Sequence, residues 1–169
     1  HSRKGWALAC LVVALGASAC AKNVDARKGP AFTAAEFYPL AIGNTWTYES
    51  NFLGQKKELT VAITGQADGF FTDTADPYGG RARLRYRLRA PVEPNRTWTN
   101  VVSVSSIEHF RIMEAGLPCE VPAGKFELCV RVEVKNRIND KTTLVNEMTF
   151  ARAVGLVKID IFAETGGRR

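Results

Sequence analysis

"FELCVRVEVKN" occupies residues 126–136. Leu128, Val130, Val132 and Val134 alternate there with Glu127, Cys129, Arg131, Glu133 and Lys135. Successive side chains of a β-strand project to opposite faces, so this period of two reads as a strand with one apolar and one wet face. Turn signals bound it on both sides: Pro122-Ala123-Gly124-Lys125 before it, and Asn139-Asp140 in "RINDKT" after it.

The same alternation recurs outward from this stretch. Towards the C-terminus it continues in "TLVNEMTFA" (143–151) and "GLVKIDIFA" (155–163), where Val157, Ile159 and Ile161 share a face. Towards the N-terminus, "NTWTYESNF" (44–52) places Trp46 and Tyr48 together, and "ELTVAITG" (58–65) does so for Leu59, Val61 and Ile63. "RTWTNVVSVS" (96–105) and "IEHFRIM" (107–113) read as one bent strand. Residues 65–80, rich in Gly, Asp and Pro, read as a long turn or loop around "FFT". "AAEFYPL" (34–40) reads as a helical turn ended by Pro39. Strand runs at roughly ten-residue spacing imply an all-β antiparallel fold. Apolar residues on one face of nearly every strand predict a sheet whose other face is wet. The expected architecture is a single, strongly curved sheet forming a half-barrel or barrel, with a β-sandwich as the alternative.

The most unusual strand-like stretch is "RARLRYRLR" (81–89). Arg81, Arg83, Arg85, Arg87 and Arg89 stand on one face; Ala82, Leu84, Tyr86 and Leu88 stand on the other. Alternate residues lie about 6.8 Å apart. Two unit charges at that distance in water repel by roughly 0.6 kcal/mol, and salt screens this further. The comb therefore needs no ligand to persist, and acids on neighbouring strands such as Glu58, Glu127 or Glu133 can relieve it. It reads as a solvated face that keeps an edge from aggregating. The competing reading is contact with an anionic partner, such as a lipid head group, an anionic polysaccharide or an acidic envelope protein, because guanidinium binds phosphate and carboxylate in bidentate fashion. Leu84, Tyr86 and Leu88, with Trp46 and Tyr48, are candidates for an apolar face that either fills a core or lines a ligand site. The formal net charge of +6 is too modest for a nucleic-acid footprint.

The first residues have a different character. "HSRKGW" is basic, "ALACLVVALGASA" is apolar, and Cys20 follows. A basic flank, a short apolar run and small residues before a cut site describe a secretory signal. The run is shorter than the roughly 20 residues a membrane-spanning helix needs. The chain starts at His1 rather than Met, so either further residues upstream or a different start is expected. "Ala17-Ser18-Ala19-Cys20" resembles the lipobox of bacterial lipoproteins, with Ala17 where Leu is commoner. That resemblance implies cleavage before Cys20 and acylation of its sulfur and new amine, which would hold the protein at a membrane. The alternative is an ordinary signal peptide cut after Ala19, leaving a free terminal Cys. In lipoproteins of two-membrane bacteria, Ala21 in place of Asp makes the resemblance favour the outer membrane, with the periplasmic side expected and the side left open. The expected organisation is a signal peptide (1–19), an acylated Cys with a flexible tether (20–33), a β-rich domain (34–165) and a frayed tail (166–169).

Removing 19 of 169 residues leaves 150, enough for one domain with a real core. Two cysteines remain in it besides Cys20. Folding "LPCEVPAGKFELC" about Gly124 places Cys119 opposite Cys129, and in an oxidising compartment a disulfide is expected across the hairpin. Two unpaired cysteines are the competing reading; a metal site lacks nearby His or further Cys.

Three short segments resemble a loose group of bacterial envelope lipoproteins without known activity. They are "FYPLAIGNTWTYE" (37–49), "VPAGKFELCVRVEV" (121–134) and "ARAVGLVKID" (151–160), the last with Ala153 where the group more usually has Gly. The resemblance implies a β-rich exported domain. By fold analogy some such domains look like the open half-barrels of lipid carriers.

No catalytic set is legible. His109 stands alone in "IEHFRI" and reads as a polar-face residue; no Gly-x-Ser-x-Gly, His-Glu-x-x-His or phosphate loop occurs. "DTAD" (73–76) is turn chemistry before it is a cation site. The expectation is a non-catalytic protein without cofactor or metal. It would bind an apolar or anionic amphiphile on its apolar face, or else serve as an accessory part of an envelope assembly with a filled core.

Overall fold

The computed structural model describes residues 31–67, 70–74 and 88–168. The chain there is all-β and antiparallel apart from one helical turn. In order, the elements are α1 (Ala34–Phe37), β1 (Thr45–Phe52), β2 (Gln55–Ala67), β3 (Phe70–Asp73), β4 (Thr97–Ser103), β5 (Ser106–Val121), β6 (Gly124–Arg137), β7 (Thr142–Ala151) and β8 (Gly155–Thr165). They form two meanders, a three-stranded sheet β1-β2-β3 and a five-stranded sheet β4-β5-β6-β7-β8.

The single strongly curved sheet is thus replaced by two sheets, neither closed nor strongly curled. The physical reason lies in how the apolar face is covered. Trp98, Phe110, Ile112, Val130, Val132, Val134, Met148, Phe150 and Leu156 share one face of the five-stranded sheet and are buried. Phe37 lies in the same cluster at 0% exposure, with Leu88 and Val92, and Phe32, Tyr38 and Tyr48 pack against it. A segment from outside the sheet supplies the cover, so the sheet need not roll up to bury its own face.

Two other expectations are corrected. "RTWTNVVSVS" and "IEHFRIM" form not one bent strand but a hairpin, β4 paired with β5 from Thr97↔Arg111 to Ser103↔Ser106. The reversal is made by serines: Ser103 Oγ accepts from the Ser105 N–H at 3.3 Å. "FFT" lies not in a loop but in β3, which extends the sheet beside β2. The expected turn at Asn139 is present: its Oδ1 accepts from the N–H groups of Lys141 and Thr142, both at 2.9 Å. The helical turn before Pro39 is also present, with Glu36 accepting from the Thr33 N–H at 2.7 Å, half of a capping box.

The opposite face of the five-stranded sheet is charged. Arg131 bridges Glu114 at 3.3 Å and Glu147 at 3.5 Å. Glu133 meets Arg111 at 3.3 Å and Lys135 at 3.7 Å, and Lys135 reaches Glu164 at 3.4 Å. Apart from Glu133 with Lys135, both on β6, these pairs cross between strands, with Arg111 directly opposite Glu133 and Glu114 directly opposite Arg131. The face is less wet than the alternation implies: Glu133 is 5% exposed and Val145 is fully buried, flanked in register by Lys135 and Phe162.

Candidate functional site

The two cysteines are joined. Cys119 and Cys129 form a disulfide with Cα atoms 5.9 Å apart. The register is not the directly opposed one, however. Cys119 faces Phe126, and Cys129 faces Leu117. Irregularities in β5 between Ile112 and Cys119 shift the ladder, and the bridge closes diagonally across the hairpin. One of them is at Gly116, whose φ is +73°, and a Cβ there would come within 2.8 Å of the Phe32 ring. Glycine both permits the kink and admits the ring.

The arginine comb is placed only in part. Arg81, Arg83, Arg85 and Arg87, with Leu84 and Tyr86, lie outside the described residues, as does Cys20. Leu88 is buried in the core cluster, and Arg89 is exposed beside it. Neither belongs to a strand. Trp46 and Tyr48 share a face of β1, as the alternation predicts, and both are used in packing. The Trp46 Nε1–H donates to the Val154 carbonyl at 2.7 Å, and Tyr48 packs against the core.

Around Trp46 the three motif segments meet. The Tyr38 ring lies 5.3 Å from Phe150 and 6.2 Å from Trp46. Gly155 has φ +107°, and a Cβ there would sit 2.9 Å from Trp46 Nε1, so only glycine lets the indole close on the β7–β8 turn. Ala153 donates its N–H to the Glu36 carbonyl at 2.7 Å, and the Arg152 N–H donates to Leu128 at 3.0 Å. Arg152 also pairs with the Glu36 carboxylate at 2.6 Å and lies 5.8 Å from the Phe32 ring centre. The Glu36 carboxyl is held below its ordinary range, first by the Thr33 backbone N–H and further by the Thr33 hydroxyl and Arg152. Segments 37–49, 121–134 and 151–160 therefore build one packing junction, where the entering chain locks onto the five-stranded sheet.

Two open surface depressions exist among the described residues. One, about 310 Å³, is lined by Thr97, Thr99, His109, Arg111, Glu133 and Lys135 with the edges of Trp98 and Phe110. His109 is exposed on the charged face, where the sequence placed it. Glu133, the nearest carboxylate lining that depression with it, is already shared by two cations. The other, about 390 Å³, lies at the β6–β7 turn between Arg137, Asp140, Lys141 and Glu164. In the first, Thr99 stands directly opposite His109 in the register. No group of three His, Cys, Asp or Glu residues among those described is placed to hold a metal, and Asp76 of "DTAD" lies outside them.

Sequence reading missed a polar row on the apolar face. Asn100 donates to Glu108 at 3.0 Å, and Asn136 donates to Ser106 at 2.9 Å. The Oδ1 atoms of Asn136 and Asn146 are buried with no hydrogen-bond partner among the described residues. Their even spacing from Val134 and Met148 is the signal that places them on that face.

Comparisons with protein families, with curated proteins and with solved structures find no match for this chain.

Proposed function

We propose that this is a non-catalytic envelope protein, held at a membrane by acyl chains on Cys20 and presenting its sheet surfaces to other envelope components. The observation that carries this is the cover over the apolar face. Phe37, Tyr38 and Phe32 occupy the position that a lipid tail would take in an open half-barrel, and Phe150, Ile112, Val130 and Val132 beneath them are all buried. A face sealed by the protein's own aromatics leaves the outward surfaces for function. The charged face supports this too. Its cations and carboxylates alternate and pair, so it presents a neutral polar surface instead of a site for a strongly anionic ligand.

One observation favours the second reading, an amphiphile binder. At the far end of the apolar face Ile161 is exposed, and the nearby amide oxygens of Asn136 and Asn146 lack partners among the described residues. A ligand with an apolar tail and a donor head would suit that end.

Trp98 separates the two readings, because it stacks on Phe110 at 5.1 Å on the apolar face. Titration with lysophospholipid or dodecanoate, followed by tryptophan emission, should give no saturable change; a saturable shift would favour the amphiphile binder. The anchor is tested by fractionation: Cys20→Ser should move the protein from the membrane to the soluble fraction, and unchanged membrane association would remove the acyl anchor from the proposal.

A further inference from the structure

Among the described strands β8, of eleven residues, stands at the end of its sheet with β7 as its neighbour. Among the described residues, the backbone of 156–161 bonds across to β7. Its irregularity lies at the Thr149/Phe150 step, near its start, and it contains no proline. Beyond that step it runs regularly from Lys158 to Thr165. On its apolar face Ile159 is 41% exposed and Ile161 is 66% exposed. Such an edge is a template for another strand. A lone lysine on an edge keeps like edges apart, but here Lys158 is followed two residues later by Asp160, with the two side chains 2.7 Å apart.

The sequence Val157-Lys158-Ile159-Asp160-Ile161 is complementary to itself when read backwards. Take a second copy antiparallel, with a two-fold axis at Ile159. Lys158 then faces Asp160 of the partner subunit, and Asp160 faces Lys158 of the partner subunit. Ile159 faces its own equivalent, and Val157, which sits at the irregularity, comes opposite Ile161 of the partner subunit. Charges pair on one face of the joint and aliphatic side chains pair on the other, each directly opposed across the strands. Two-fold interfaces require this self-complementarity. Moving the axis by one residue sets Lys158 or Asp160 against its own equivalent and loses the opposite-charge pairs, and slipping the register by one residue sets charge against aliphatic.

We propose that β8 pairs with β8 of a second copy about an axis at Ile159, joining two five-stranded sheets into one continuous sheet. This goes beyond the reading above and does not depend on the acyl anchor or on the absence of a ligand. The test is sedimentation velocity of the full chain in mild detergent over a range of concentrations, with circular dichroism confirming that each variant is folded. The wild type should be in monomer–dimer equilibrium. Lys158→Asp and Asp160→Lys each replace two attractive cross-strand pairs by two repulsive ones, and each should raise the dimer Kd about tenfold or more. The double variant Lys158→Asp with Asp160→Lys should restore dimerisation. Ile159→Arg, which sets two cations face to face on the axis, should abolish it. A wild type that stays monomeric at every concentration would overturn the proposal. So would a dimer indifferent to both single reversals, or singles that weaken it without rescue in the double variant.

Discussion

Glu36 and Arg152 lie 116 positions apart and meet at 2.6 Å. The pair joins the helical turn before the first strand to the turn between the last two. Through it and its neighbours the entering chain is fastened across the apolar face of the five-stranded sheet.

The Glu36 carboxyl is held below its ordinary range, first by the Thr33 N–H and then by the Thr33 hydroxyl and Arg152. A depressed folded-state pKa stabilises the fold above the unfolded-state value, and that stabilisation is lost as pH falls through the folded-state value. Urea unfolding at pH 7 and at pH 3 should therefore show a larger loss for the wild type than for Glu36→Gln. Equal losses would mean that the Glu36 contacts do not stabilise the fold.

Phe37 has no exposed surface and sits in the main cluster. Phe37→Ala should lower the unfolding free energy by about 3–5 kcal/mol, the usual range for emptying a buried aromatic site. Hydrogen exchange in that variant should accelerate first in residues 31–38 and at the β7–β8 turn.

Ala153 adopts φ +61°. A non-glycine residue there is strained by roughly 1–2 kcal/mol, while glycine adds about 0.4–1 kcal/mol of unfolded-state entropy. Ala153→Gly should therefore be stabilising by about 0.5–1 kcal/mol in a thermal or chemical melt. A destabilised variant would show that the Ala153 methyl is held by packing.

The Cys119–Cys129 bridge closes a segment with a sequence separation of ten. Loop-closure entropy for that length corresponds to about 2–3 kcal/mol. The double variant Cys119→Ser with Cys129→Ser should lose about that much. Thiol titration of the unreduced wild type should find neither cysteine reactive.

Period and turn chemistry were enough to read β1, β2, β6, β7 and β8. Val130, Val132 and Val134 face the core and Arg131, Glu133 and Lys135 face the other way, as their spacing requires. The division into two sheets was not legible, because it depends on Phe32, Phe37 and Tyr38 arriving from outside every strand to cover the sheet. The β4–β5 reversal was missed because Val101, Val102 and Val104 continue an apolar pattern through a turn made by Ser103 and Ser105. Their exposure shows that apolar character alone does not mark a strand interior. The diagonal disulfide depends on irregularities near Gly116 that simple counting from Gly124 ignores. For the candidate site, spacing placed Trp46 and Tyr48 on one face but did not reveal that Trp46 ends on the β7–β8 turn, a contact 108 positions away.

The most direct test of the sealed apolar face is native mass spectrometry of the Cys20→Ser chain, expressed through a bacterial periplasm and purified without detergent. The expected spectrum is the bare polypeptide mass, with one disulfide and no co-purifying small molecule. A stoichiometric lipid or amphiphile mass, lost on denaturation, would contradict a self-filled face and make the protein a carrier.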